Sequence, residues 1–105
     1  MIHHVALETR PADVEAEVAW WGRLGFARIE VPESLRGRAV WLGRGGQHVH
    51  LMLAEEPRTA GHVALVGPWP PPVEHEERER HWGEPRAYVV SPAGHTVELM
   101  AAPPA

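Results

Sequence analysis

The chain has 105 residues, 44% of them hydrophobic and 23% charged, with no cysteine. That is one modest domain with one core, and it excludes disulfide frameworks, thiolate nucleophiles, zinc ribbons and iron–sulfur clusters. The formal charge of −4 comes from 14 acidic and 10 basic residues, all the basic ones being arginine; no run of them tracks a face, which argues against a nucleic-acid partner. No apolar run approaches the roughly 20 residues that span a bilayer, and residues 1–10 start a strand pattern where a signal peptide would begin, so a cytoplasmic location is expected. Eight histidines without a cysteine suggest a metal site of nitrogen and oxygen donors.

In chain order, residues 2–8 read as a strand and residues 11–24 as a helix. Pro11 suits a first turn, Asp13, Glu15 and Glu17 favour the amino-terminal end, and Val14, Val18, Trp21 and Leu24 recur at helical spacing. Gly25 is a natural stop. Short strands follow at 26–31, 38–42 and 47–53, the last two joined by a hairpin through Gly43, Arg44, Gly45 and Gly46.

The pattern then begins again. Gly61-His62-Val63-Ala64-Leu65 repeats His3-His4-Val5-Ala6-Leu7, and Thr96-Val97-Glu98-Leu99-Met100 repeats His48-Val49-His50-Leu51-Met52. Two matched pairs in the same order imply duplicated strand-helix-strand-strand-strand halves, module one at 1–53, a connector at 54–60 and module two at 61–101, within a single domain. His4 to His50 spans 46 residues and His62 to Glu98 spans 36; the missing ten match a helix of about three turns. Gly67-Pro68-Trp69-Pro70-Pro71-Pro72 stands where that helix would be, and successive prolines cannot continue one. The second helix is therefore expected to be reduced or missing. Residues 73–81 admit a short exposed helix through the Glu74/Arg78 and Glu76/Arg80 pairs, or an exposed edge strand, which the repeat favours. Strands at 86–90 and 96–101 close the chain around the Ser91-Pro92-Ala93-Gly94 turn.

Strand alternation then sorts the faces. Val5 and Leu7 lie opposite His4, Val49 and Leu51 opposite His50, Val63 and Leu65 opposite His62, and Val97 and Leu99 opposite Glu98. A continuous sheet curled toward the polar side would gather His4, His50, His62 and Glu98 in one cup, a donor set suited to Zn, Ni, Co, Mn or Fe. A carboxylate buried there without a cation would be costly. His48 shares the parity of the cup and is assigned beside the ligands; His81 and Trp82 are placed at its entrance, with an edge-packing Trp and a surface His as the plainer reading. Arg36, Arg38 and Arg86 are available to an anionic substrate or are ordinary surface groups. His3, His75 and His95 have no assigned role.

These motifs, together with Leu24-Gly25-Phe26 and Ser91-Pro92-Ala93-Gly94-His95, resemble the vicinal oxygen chelate superfamily of glyoxalases, bleomycin resistance proteins and extradiol dioxygenases. The resemblance implies an α+β fold, paired βαβββ modules in a half-open barrel-like sheet. It also implies one divalent transition metal held by His4, His50, His62 and Glu98, the set that parity selects. Four ligands look more like the lyase and isomerase branch, acting on a small substrate with adjacent oxygens through an enediolate-like intermediate, with Glu98 as a possible base. A non-catalytic small-molecule binding protein of the bleomycin-resistance type is the alternative, and a dioxygenase a lesser one. One departure is Ser91 where the family turn usually begins with Asp, expected to cost a turn hydrogen bond. The other is the missing helix, which would leave Val63, Leu65, Val97 and Leu99 in need of a cover. Either the Trp69-proline segment or a second subunit is expected to supply it, and a homodimer is the expectation.

Overall fold

The computed structural model describes residues 2–59 and 61–103. Each module forms a four-stranded sheet of its own. In the first, β1 (His4–Thr9), β2 (Ala27–Ile29), β3 (Ala39–Arg44) and β4 (Gln47–Leu53) lie in the order β1-β4-β3-β2. In the second, β5 (His62–Val66), β6 (Glu76–Glu77), β7 (Arg86–Val90) and β8 (Thr96–Met100) take the equivalent order β5-β8-β7-β6. Both modules pair their first and last strands in parallel and the rest antiparallel. The sheets are open, so the duplicated half-barrel architecture is present, with the second module lacking its helix.

Pro11–Asp13 forms a single 3-10 turn before α1 (Val14–Arg23), in line with proline's preference for a first turn. At the other end Phe26 N–H reaches the Trp21 carbonyl and Gly25 N–H reaches Gly22, at 3.1 Å each. This double closure needs a left-handed residue, and Gly25 supplies it with φ of 95°. The segment 73–81 shrinks to the two-residue edge strand β6, because its charged side chains leave it no apolar face to bury. The β3–β4 turn is likewise tighter than expected: β3 runs through Arg44, leaving Gly45 and Gly46 as the turn.

The packing departs from a continuous curled sheet. Leu42, Val49 and Leu51 of the first sheet and Leu65, Val89, Val97 and Leu99 of the second join Trp21, Leu24, Phe26 and Val73 in one buried cluster. The cover for the second aliphatic face thus comes from module one, its helix, and Val73 after the proline run; no second copy is needed for that. Arg23 at the end of α1 donates to the Pro72 carbonyl and holds this segment in place. Arg58 of the connector ties back to Glu8 of β1 at 2.7 Å, and its hydrogen bonds hold that carboxyl down at about 2. Among the described residues no helix is long and apolar enough to cross a membrane.

Glu17 joins the modules more directly. Read from sequence as a first-turn helix acid, it is fully buried; one carboxylate oxygen accepts Trp21 Nε1–H at 2.9 Å and the other accepts the Ala93 N–H at 2.7 Å. The turn it grips is closed by Ser91, whose Oγ accepts the His95 N–H at 3.1 Å, so serine makes the turn bond that was expected to be lost. Hydrogen bonds to a charged group contribute about 1.5–3 kcal/mol each. Glu17→Ala, which removes both and leaves two donors unpaired, is expected to cost about 2–4 kcal/mol in urea unfolding. A loss below about 0.5 kcal/mol would show that the latch contributes nothing.

Candidate functional site

Register sets the site. On the first sheet His50 sits opposite Ala6 and His4 opposite His48, so His4 and His50 are diagonal neighbours on one face. On the second, Glu98 sits opposite Ala64 and His62 opposite Thr96, the same diagonal. The repeat therefore builds two equivalent couples. The His4 and His50 rings stack with centroids 4.0 Å apart. His62 Nε2 stands 3.2 Å from Glu98 Oε1.

Both aliphatic faces contribute to the shared core, and each couple lies on the opposite face of its own sheet. Among the described residues no group of three or more His, Asp or Glu side chains is arranged to hold an ion. Alternation assigns each of the four residues to a face, and the register brings them together two and two.

Each couple has its own surroundings. Trp41, opposite His50 across the β3–β4 hairpin, lies flat on it, with centroids 4.0 Å apart and planes within 2°. His50 is thus covered on both ring faces. Burial, followed by the neighbouring His4, His48 and His3, lowers its pKa from 6.5 to about 4. Leu35, Trp41 and Met52 border a shallow groove beside His4 and His50. On the other sheet, Glu98 Oε2 is held by Arg86 Nη1 at 3.3 Å, both side chains buried. Arg86 also donates through Nε to the Glu79 carbonyl at 2.9 Å and lies over the Trp82 and Tyr88 rings. The cation that a buried Glu98 requires is therefore present in the chain itself.

The remaining candidates fall as follows. His48 Nδ1 is 3.3 Å from His50 Nε2, beside the first couple. Trp82 packs under Arg86 and so lies near the second couple, while His81 is exposed with its ring 6.5 Å from Trp82. Arg36 and Arg38 are exposed, and Arg36 borders a different groove, with Arg28 and Ile29. Arg86 was one of three undistinguished arginines in the sequence, and the Trp41 stack was not foreseen.

Metal-free His50 carries a pH consequence. The unfolded chain protonates this ring near 6.5 and the folded chain near 4, so between those values the unfolded state binds more protons. Stability is expected to fall as pH drops through that window, by at most about 1.4 kcal/mol per unit from this group. Urea midpoints of metal-stripped protein should fall less steeply with acid for His50→Gln; equal slopes would remove His50 as the source.

No family model and no curated protein sequence matches the chain. Solved structures do. A protein from Bacillus anthracis assigned to the glyoxalase family superposes with a TM-score of 0.80 at 23% identity, over 95% of this chain and 93% of that one. Lactoylglutathione lyase from Agrobacterium tumefaciens gives 0.71 at 18% identity, over 95% and 92%. The bleomycin resistance determinant encoded on the transposon Tn5 gives 0.61 at 16% identity, over 91% and 94%.

The chain has the vicinal oxygen chelate fold.

Vicinal oxygen chelate proteins often hold a divalent metal, and they include both enzymes and non-catalytic members. The fit of such an ion to this member of the fold can be judged from its donors. His62 Nε2 and Glu98 Oε1, 3.2 Å apart, match the spacing of two donors on one ion with bonds of about 2.0–2.2 Å. Arg86 occupies Oε2, so that Oε1 is the oxygen facing His62. His4 and His50 offer a second pair of donors at the equivalent register positions of the first sheet.

Proposed function

We propose that two copies of this chain assemble so that His4 and His50 of one copy and His62 and Glu98 of the other hold a divalent transition metal, and that the assembly is a small metal-dependent lyase or isomerase. The observation that carries this reading is the repeated diagonal: two donor couples at equivalent register positions of the two sheets. A two-fold dimer brings the first face of each copy to the second face of the other and makes two identical sites. When bound, the metal would polarise a substrate oxygen and stabilise negative charge developing on adjacent oxygens. Arg86 fixes the Glu98 carboxylate through Oε2, and Trp41 and His4 fix the plane of His50. Glu98, on loosening from the metal, would take the proton from a carbon acid, with a nearby histidine as the other candidate base.

The test is proton exchange into small 2-oxo compounds with metal-stripped and metal-loaded protein, alongside the mass in solution. A dimer with metal-dependent exchange supports the reading. No exchange across a broad panel argues against catalysis, and a monomer with metal present argues against the shared site. A second reading has one observation in its favour: the groove beside His4 and His50 is bordered by Leu35, Trp41 and Met52, a surface suited to a flat apolar ligand. Metal-independent binding of an aromatic ligand there, with quenching of Trp41 and no exchange, would favour sequestration.

A further inference from the structure

β1 and β5 are edge strands, each paired on one side only, with β4 and β8 respectively. Two cavities lie between them. Residues 2–5 and 63–65 border one, residues 5–7 and 61–63 the other, so the two edges run antiparallel past each other. The ladders decide what each edge offers. The His3 carbonyl accepts the His48 N–H and the Thr9 carbonyl the Ala54 N–H, so the odd-numbered residues of β1 face β4 and Ala6 turns its N–H and C=O away. Gly67 N–H reaches the Met100 carbonyl, and by the same alternation His62 turns its backbone groups away from β8.

The second cavity, of about 120 Å³, is bordered by Ala6 and His62 together with Thr59, Thr96 and His95. His95 is 4% exposed. The Ser91 turn fixes its backbone: its N–H reaches Ser91 Oγ at 3.1 Å and its carbonyl accepts the Ser91 N–H at 2.9 Å. Its Nε2 is buried and has no hydrogen-bond partner among the described residues. A buried polar atom is costly to leave unpaired, and one belonging to the wall of a polar cavity points to what the cavity takes up.

We propose that this cavity between β1 and β5 binds a primary carboxamide, either a molecule of acetamide size or the amide end of a larger one. Each edge presents a backbone donor beside a backbone acceptor, so the occupant must accept and donate at once. A carboxylate only accepts and would meet the Ala6 and His62 carbonyls, and a hydrocarbon would leave every group unpaired. A carboxamide carries an acceptor oxygen and N–H donors, the groups with which an added strand pairs to an edge. The threonine hydroxyls and the imidazole donate or accept as the occupant requires. At roughly 30 Å³ per water the cavity has room for about four waters, which is the size of acetamide. The site uses His62 through its backbone alone and needs no metal, so it stands apart from the proposed reaction.

The experiment titrates acetamide, and separately acetate, into the metal-stripped full chain, isotope-labelled and read by NMR. Saturable shifts of the Ala6 and His62 amides and of the His95 ring are expected with acetamide, and weaker or no binding with acetate. Thr59→Val keeps the shape of an exposed residue and removes its hydroxyl; it should weaken acetamide about 2–10-fold, the equivalent of one hydrogen bond. His95→Phe removes both ring nitrogens and should weaken it about tenfold. Shifts that stay linear without saturating, acetate binding at least as tightly as acetamide, or unchanged affinity in either folded variant overturns the proposal. Should His95→Phe fail to fold, Thr59→Val decides.

Discussion

Converting His62 to alanine is expected to lower metal-dependent proton exchange by about 100-fold or more. Substituting residues that merely support metal ligands costs about 10–100-fold, and a ligand should cost at least the upper end of that. The same change should leave stability almost untouched, because the His62 side chain is 43% exposed and its one close polar partner is Glu98. Glu98→Gln makes the complementary case: it keeps the size and one hydrogen bond toward Arg86 but removes the charge, leaving a buried cation without its counter-ion. Exchange should fall in both variants, whereas stability should fall chiefly in the second. Matching rates for wild type and His62→Ala, on a panel that the wild type turns over, would remove His62 from the site.

Trp21→Ala is expected to cost about 3–5 kcal/mol, the range for deleting a large buried aromatic. Trp21 has 0% exposure and belongs to the cluster that joins both sheets. Its ring meets Trp20 and Phe26 edge-on, each at 5.2 Å between centroids, and its Nε1 serves the buried Glu17 carboxylate. The truncation therefore opens a cavity and removes a hydrogen bond from a buried charge together. Trp21→Phe separates the two, keeping most of the packing while leaving that carboxylate oxygen short of a donor. Urea unfolding should rank wild type above Trp21→Phe above Trp21→Ala. A loss below about 1 kcal/mol for alanine would mean that the two modules do not depend on one core.

Much of this molecule was legible because strands have a period of two. Alternation placed His4, His50, His62 and Glu98 on the faces they occupy, and the ten-residue deficit with the proline run located the missing helix. Alternation does not say which faces meet. Aliphatic faces seek any apolar partner, and here residues of both sheets join those of α1 in one core. Trp41 was within reach of simple arithmetic: a turn confined to Gly45 and Gly46 pairs Arg44 with Gln47 and hence Trp41 with His50. Reading the turn as four residues hid that contact. Glu17 and Arg86 were not legible, since their partners, Ala93 and Glu98, are set by long-range packing and a second-module register.

The most direct measurement mixes two damaged chains, one carrying His50→Ala and the other His62→Ala, each also carrying His3→Ala and His48→Ala so that imidazoles of one copy cannot hold metal by themselves. Native mass spectrometry with added Ni(II) then counts ions in each dimer. If the site is shared between copies, neither variant alone retains an ion, and the mixed dimer retains one, from the intact first couple of one chain and the intact second couple of the other; exchange activity in an equal mixture should recover to roughly a quarter of the undamaged rate. A mixed dimer that holds no ion, in a mixture that has demonstrably exchanged subunits, would contradict the shared site.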